Sequence, residues 1–353
     1  GRASGWTLRA HIAVLGQTLA AIQVGDLGRA LATLQLVFIH PFHTVCRFHH
    51  WLAGLIEAHL AERLGQRARA LDALRRAFAN GRVCGFDFGP LPFVCGDMMP
   101  HLAALALEHG IDTAFACHII ARHHLAAPPD AGARWPWPVR IHTLGAFDVV
   151  CDGAPAAASR KQSRTPLDLL KLLLALAPAG GGPVPVERLC ASLWPDAEGD
   201  AARNSFDNTL HRLRKLLGGE QRVALLAGGL ELNASTCYTD IAALDTCLAA
   251  LDAPCGVDDA AVGHLLALAD RALALYRGDF LAGEDELAEV IAARGRIAVR
   301  FTRHMAGAGT RLEQAGRSTE AIAIYRRVLE LQPLAEDVCR HLIGCLVTLG
   351  QRA

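Results

Sequence analysis

A proline-rich segment divides this 353-residue chain into parts that cannot share one continuous helical framework. The segment, AAPPDAGARWPWP, runs from Ala126 to Pro138 and contains four prolines. Proline lacks the N–H that a helix interior needs and its ring clashes with the preceding turn, so no continuous helix crosses this stretch. Apolar residues recur at helical spacing before the segment and at every second position after it. We therefore predict a helical region over residues 1–129, a linker over 130–138 and a new domain from residue 139.

A repeated pattern on both sides of the linker predicts stacked helical hairpins. It occurs in the segments VGDLGRAL, LGQRARAL, QAGRSTEAI and LGQRA, where a glycine ends one helix and an alanine opens the next. Gly316 and Gly350 lie 34 residues apart, which is the period of tetratricopeptide repeats. Such hairpins stack into solenoids that bind proteins, so we expect partner binding or self-association through these regions.

Residues 139–235 contain, in order, paired strands, three helices and a hairpin. The strands alternate in VRIHTLGAFDVVCDG and turn at Asp152. The first helix is predicted to start with Thr165 as its cap, and the third runs from a cap at Asp200 to Gly218. The order is that of a winged helix-turn-helix. The predicted fold is thus mainly α, with tetratricopeptide-like helical repeats flanking a small α+β winged helix-turn-helix domain.

The third helix, RNSFDNTLHRLRKLLGG, separates an apolar face from a polar face that has no carboxylate. At about 100° per residue, Phe206, Leu210, Leu213 and Leu217 share one face and are expected to pack on the first two helices. The opposite face comprises Asn204, Ser205, Asn208, His211, Arg212 and Lys215. Asparagine can bond adenine edges, and arginine or lysine can bond guanine or phosphate, so this face predicts DNA reading. A plain solvated surface helix is the alternative.

Two further features concern anion binding. The segment Ala201–Leu217 has four cations and one acid, whereas the whole chain has zero formal net charge, which indicates a local anion site. The preceding segment SRKQSR offers Arg160, Lys161 and Arg164 to DNA phosphates, with a solvated loop as the alternative. Arg203, at the edge of the apolar face, is expected to form a structural ion pair.

The region from Val139 onward resembles bacterial transcriptional activators of the antibiotic-regulatory-protein type. The resemblance is carried by three sequence motifs, LWPDA, LHRLRKLLG and YRGDFL. It implies a response-regulator-like winged helix over 139–235, followed over 236–353 by a tetratricopeptide-like bacterial transcriptional activator domain that is truncated at its C-terminus. It further implies binding to double-stranded promoter DNA and contact with RNA polymerase. Arg212, Arg214 and Lys215 lie in the basic RLRK motif of the third helix, which would be the DNA-recognition helix.

Two observations depart from or extend this resemblance. The wing, LLAGGLEL, lacks the basic or aromatic tip that would support a groove contact. Residues 1–129 resemble instead the helical-repeat region of large signal-transduction ATPase regulators. Because the chain opens with Gly1, we expect it to be an excerpt of a longer protein.

Other sites are weighed against plainer interpretations. In HPFHTVCRFHH, the residues His43, Cys46 and His50 would share a helix face and could bind a metal, with HIIARHH completing the site. A histidine-rich contact surface is the favoured interpretation, so no metal is predicted.

The eleven cysteines include no C-x-x-C pair, which indicates buried, reduced thiols. No phosphate-binding loop, nucleophile elbow or zinc-protease motif occurs, so neither catalysis nor a cofactor is predicted. No membrane span is expected, and a cytoplasmic location follows.

We therefore predict a sequence-specific transcriptional regulator controlled through its helical repeats. The rival hypothesis is a repeat-based scaffold whose winged domain contacts protein. If the first is right, the span Trp135–Ser235 is expected to fold and bind duplex DNA by itself.

Overall fold

A computed structural model of the chain describes residues 2–39, 47–87, 97–128, 131–156, 164–179, 181–253, 259–348 and 350. These residues form two compact units, Gly1–Pro136 and Trp137–Ala353, whose boundary lies in the proline-rich segment. The predicted fold class is confirmed, because helices dominate both units and the small sheets occur only in the second among the described residues.

The first unit is built from helical hairpins. Its helices are α1 (Arg2–Gln23), α2 (Leu27–Ile39), α3 (Arg47–Arg63), α4 (Arg67–Cys84), α5 (Met98–Glu108) and α6 (Thr113–His123). The chain turns after α1 at Gly25 and after α3 at Gly65, where φ is +81° and +71°. Glycine adopts this left-handed conformation without the steric cost of a side chain, which confirms the repeated glycine signal.

Helices α3 and α4 form a closely packed pair in the first unit. Trp51 of α3 lies against Gly81 of α4, and Phe78 of α4 packs edge-on against Phe115 of α6; both Trp51 and Phe78 are fully buried. The pair approaches closely at Gly54, where an added Cβ would lie 3.2 Å from that of Ala77. On the surface, Glu57 Oε1 accepts a hydrogen bond from Nη2 of Arg69 at 3.0 Å, which ties the two helices together.

The second unit opens with a four-stranded sheet in the order β3-β2-β1-β6. Its strands are β1 (Val139–His142), β2 (Asp148–Cys151), β3 (Ala154–Pro155) and β6 (Cys237–Thr239). The turn between β2 and β3 uses Asp152 and Gly153 with positive φ, as the sequence predicted. Strand β6 pairs with β1 in parallel and lies after residue 235, the end that we predicted for the winged domain. The sheet therefore takes one strand from the segment assigned to the next domain.

Three helices and a hairpin follow the first three strands in the chain. They are α7 (Arg164–Leu176), α8 (Val186–Leu193), α9 (Gly199–Leu216), β4 (Val223–Leu226) and β5 (Gly229–Leu232). Both predicted caps are wrong. Helix α7 already includes Thr165, and α9 begins at Gly199 after Glu198, which makes no side-chain capping bond. Asp200 instead lies in the first turn of α9, where its charge is favourable to the helix dipole.

The C-terminal helices form a second hydrophobic core. They are α10 (Asp240–Asp252), α11 (Asp259–Leu275), α12 (Ala288–Gln314), α13 (Ser318–Leu331) and α14 (Glu336–Thr348). Tyr276 stacks on Phe301 with ring centroids 4.1 Å apart. Gly309 admits the ring of Tyr325, because an added Cβ would lie 2.3 Å from that ring. Gly316, with φ of +74°, turns the chain between α12 and α13 as the repeat pattern predicted.

Asp240, the first residue of α10, is a buried carboxylate that holds the loop after β1. Its oxygens accept hydrogen bonds from the N–H of Thr143 at 2.8 and 2.9 Å, from the Thr143 hydroxyl at 2.7 Å and from the N–H of Leu144 at 3.0 Å. Burial raises the pKa of Asp240, but hydrogen bonds from His142, Leu144 and Thr143 outweigh it and hold the pKa below its ordinary value. The carboxylate is therefore charged and satisfied in the folded chain.

The loop between α11 and α12 packs along the same β1–β2 loop. The N–H of Leu281 donates to the carbonyl of Thr143 at 2.7 Å, and the N–H of Gly145 donates to the carbonyl of Asp279 at 3.0 Å. Leu144 and Phe280 form an antiparallel bridge between these bonds. Backbone hydrogen bonds thus join the winged region to the C-terminal helices.

A buried lysine makes a further connection between these two parts. Lys171 of α7 is only 8% exposed, and its Nζ lies 2.7 Å from Oε2 of Glu284 in the α11–α12 loop. The same Nζ lies 3.5 Å from Asp168 and 5.2 Å from the centroid of the Phe147 ring. A desolvated ammonium needs such partners, so this contact fixes α7 against the loop.

Candidate nucleic-acid interface

Helix α9 is anchored by the apolar face that the sequence predicted. Phe206, Leu210, Leu213 and Leu217 are buried in one core with residues of α7, α8 and the β4–β5 hairpin. Thr209 is buried beside them. This confirms the assignment of the face, and it orients the opposite side of the helix outward.

The polar face of α9 is formed by Asn204, Asn208, His211 and Lys215. All four side chains are exposed, and at 3.6 residues per turn they lie within about 60° of one another around the axis. No acidic residue of α9 lies in that sector. The surface therefore presents amide groups, an imidazole and an ammonium, and the exposed Asp200 lies one turn before Asn204 at its N-terminal end.

The remaining predicted residues of α9 lie on the flanks of this face. Arg212 is exposed and Ser205 is half-buried, both on one flank. On the other flank Arg203 pairs with Asp207 at 3.5 Å, and its guanidinium carbon lies 5.5 Å from the Phe206 ring centroid. The prediction that Arg203 is a structural ion-pairing residue is confirmed.

Arg214 is directed toward the hairpin that follows α9. Its side chain is 22% exposed, and Nη1 lies 3.8 Å from Oε1 of Glu220. Nε donates a hydrogen bond to the carbonyl of Val223, the first residue of β4, at 3.2 Å. Arg214 thus links α9 to the first strand of the hairpin, whereas Arg203 pairs within α9.

The hairpin β4–β5 is the wing, and its exposed tip is apolar. Leu225 and Leu226 are 42% and 50% exposed. The second strand is fixed by Val184, which exchanges two backbone hydrogen bonds of 2.8 Å with Leu230. Gly229 permits this approach, because its φ is +132° and an added Cβ would lie 2.1 Å from the carbonyl oxygen of Val184.

The basic segment before α7 is only partly described. Arg160 and Lys161 lie outside the described residues, and Arg164 is the first residue of α7. Arg188, which the sequence analysis did not consider, is an exposed cation of α8. It lies on the helix before α9, and in helix-turn-helix proteins that helix crosses the DNA backbone.

The described thiols are free and suited to packing. Burial raises the pKa of the Cys151 and Cys190 thiols and raises that of Cys237 to about 11, so these groups stay protonated at neutral pH. The prediction of buried cysteines holds for Cys237 among others, but Cys339 is exposed.

The metal hypothesis gains no support from the described residues. His43 and Cys46 lie outside them, and His50 is exposed. Among the residues that are described, no three histidine, cysteine or acidic side chains are placed to hold a metal ion. Within the same ranges, every helix is too short or too polar to cross a bilayer.

Comparison with known proteins finds one family model that matches the C-terminal part of the chain. The family described as "Bacterial transcriptional activator domain" matches residues 256–353, which confirms the predicted resemblance over α11 to α14. Among solved structures, the chain is similar to "Mycobacterium tuberculosis EmbR in complex with low affinity phosphopeptide", at 22% identity and a TM-score of 0.42. That match covers 60% of this chain and 55% of the other, so it spans little more than half of the solved chain. No curated protein sequence matches significantly.

Proposed function

We propose that this protein is a transcriptional regulator that binds duplex DNA through α9. The observation that carries the proposal is the polar face of α9, which is exposed and bears amide and cationic side chains from Asn204 to Lys215 while the opposite face is buried. A helix that follows a turn and precedes a wing enters the major groove in helix-turn-helix proteins. The activator-family match over residues 256–353 supports a role in transcription.

The two ends of the polar face differ in chemistry. Asn204 and Asn208 carry short amide side chains, which can form paired hydrogen bonds with an adenine edge. Lys215 carries a mobile point charge that suits a phosphate. We assign base reading to the N-terminal end of the face and backbone contact to its C-terminal end, with Arg212 contributing to both.

The other parts of the chain supply partner contacts in this proposal. The family resemblance favours contact of the C-terminal helices with RNA polymerase, and helical hairpins of the first unit suit control by protein partners. Because backbone hydrogen bonds and Lys171 join the winged region to the C-terminal helices, DNA binding would fix the orientation of those helices at the promoter.

The rival hypothesis is a scaffold whose winged region contacts protein, and it is favoured by the apolar tip of the wing. Leu225 and Leu226 would suit a protein surface better than phosphates. Salt separates the two hypotheses. Neutralising several phosphates makes log K fall steeply with log salt, whereas burial of apolar surface is much less salt-sensitive.

The decisive experiment measures binding of the full chain to duplexes selected from a genomic pool, and to scrambled duplexes, across a salt series. We expect Asn208→Ala to cost about 1–3 kcal/mol on the selected duplex and to relax preference at one base pair. Lys215→Ala should weaken both duplexes alike and lower the salt slope by about one unit. Arg326→Ala removes an exposed cation of α13 and serves as the matched control, with no change of slope expected.

Two outcomes would contradict the proposal. A wild-type chain that shows no salt-sensitive binding to any duplex pool would favour the scaffold. If Asn208→Ala weakened both duplexes equally while Lys215→Ala changed the preferred base, the helix would enter the groove in the opposite orientation.

A further inference from the structure

We infer that Arg214 positions the wing relative to the reading helix and does not itself contact DNA. This inference rests on the proposed function, because it concerns how the DNA-binding surface is assembled. The basic word RLRK would place Arg214 among the DNA-contacting cations. Its geometry separates it from them.

The Arg214 side chain contacts other residues of the protein. Nε donates to the carbonyl of Val223 at 3.2 Å, and Nη1 faces Glu220 at 3.8 Å. The side chain of Arg214 is 22% exposed, whereas the adjacent Lys215 is exposed on the polar face. Around the helix axis Arg214 lies about 100° from Lys215, so a groove that receives Lys215 would pass Arg214 at its flank.

Besides its packing in the shared core, the wing has two hydrogen-bonded links to other described elements, and Arg214 provides the one that comes from α9. Strand β5 is held by the backbone bonds between Leu230 and Val184, which precedes α8. Strand β4 begins at Val223, whose carbonyl accepts the Arg214 bond. The carbonyl of Arg214 also accepts a bond from the N–H of Gly219 at 2.8 Å, where the chain leaves α9. One residue therefore links the end of the reading helix to the first wing strand.

Two substitutions separate a positioning role from a phosphate contact. Arg214→Gln places an amide nitrogen at the same number of bonds from Cα as Nε, so it keeps a donor for Val223 but removes the charge. Arg214→Met matches the length of the glutamine variant, because its side chain also ends four bonds from Cα, but it removes both donor and charge. Lys215→Met, at the neighbouring exposed position, is the matched variant for loss of a phosphate contact.

The experiment combines a salt series with hydroxyl-radical footprinting of the full chain on its selected duplex, after melting curves show that each variant is folded. We expect both Arg214 variants to keep the wild-type salt slope, whereas Lys215→Met should lower it by about one unit. Arg214→Met should lose roughly three- to tenfold in affinity, the effect of one hydrogen bond, and lose protection beside the wing only. Arg214→Gln should keep that protection.

The inference is overturned if Arg214→Gln lowers the slope by about one unit with wing protection intact, since Arg214 would then neutralise a phosphate. It is also overturned if Arg214→Met protects the wing-side nucleotides as the wild type does. Absence of salt-sensitive binding by the wild-type chain would instead refute the proposed function, so the two failures are distinguishable.

Discussion

At the scale of the residue, Asp240 is a charge that the fold needs although it lies in the interior. Its carboxylate accepts bonds from two backbone N–H groups and one hydroxyl, all of which would be buried without a partner if it were lost. Hydrogen bonds to a charged acceptor each contribute more than neutral ones. We therefore expect Asp240→Asn to lower the free energy of unfolding by about 2–4 kcal/mol at neutral pH. Urea unfolding measures this loss of stability. Asp270→Asn, at an exposed position, is the control, and we expect it to leave the free energy of unfolding unchanged.

The same residue predicts a pH dependence. The pKa of Asp240 is held below its ordinary value in the folded chain, so its contribution to stability is complete above the unfolded pKa of about 3.9. That contribution is lost as pH falls through the lower, folded pKa. The stability difference between the wild type and Asp240→Asn should thus shrink as pH falls below about 4. A difference that stayed constant over this range would show that the charge of Asp240 contributes nothing.

At the scale of the element, sequence prediction succeeded where the pattern is local. The apolar face of α9 follows from the helical period alone, and the turn at Asp152 follows from turn chemistry. Strand β6 could not be predicted in the same way, because three residues carry no period and their pairing with β1 spans about a hundred positions of chain. The burial of Lys171 could not be predicted either, because its partner Glu284 lies in a loop that is distant in sequence.

Helix α9 also allows stability and recognition to be separated by neighbouring substitutions. Phe206 is fully buried, so Phe206→Ala should lower the free energy of unfolding by about 3–5 kcal/mol. Asn208 is exposed two residues later, so Asn208→Ala should change stability by no more than about 0.5 kcal/mol while changing base preference. Chemical unfolding and duplex competition test the pair. A Phe206→Ala chain that melted like the wild type but lost base preference would refute the assignment of faces.

At the scale of the whole molecule, residues 135–235 make contacts that the isolated span would lose. That span ends before β6 and Asp240, so its sheet lacks one edge and the loop after β1 loses its acceptor. It also removes residues 279–281, which bond to the same loop. The winged region and the C-terminal helices thus share a sheet, a buried carboxylate and a buried lysine, so we expect them to unfold as one cooperative unit.

This view predicts a graded series of fragments of the second unit. A chain of residues 137–353 should unfold in one cooperative transition and bind the selected duplex as the full chain does, since it retains every contact described within that unit. Residues 137–240 restore β6 and Asp240 but lack the α11–α12 loop, so a weaker transition is expected. Residues 137–235 should show a broad, poorly cooperative transition, because Leu144 and its neighbours lose the C-terminal helices that bury them. Calorimetry distinguishes the three, and a sharp transition of residues 137–235 with unchanged duplex affinity would show that the winged domain folds independently.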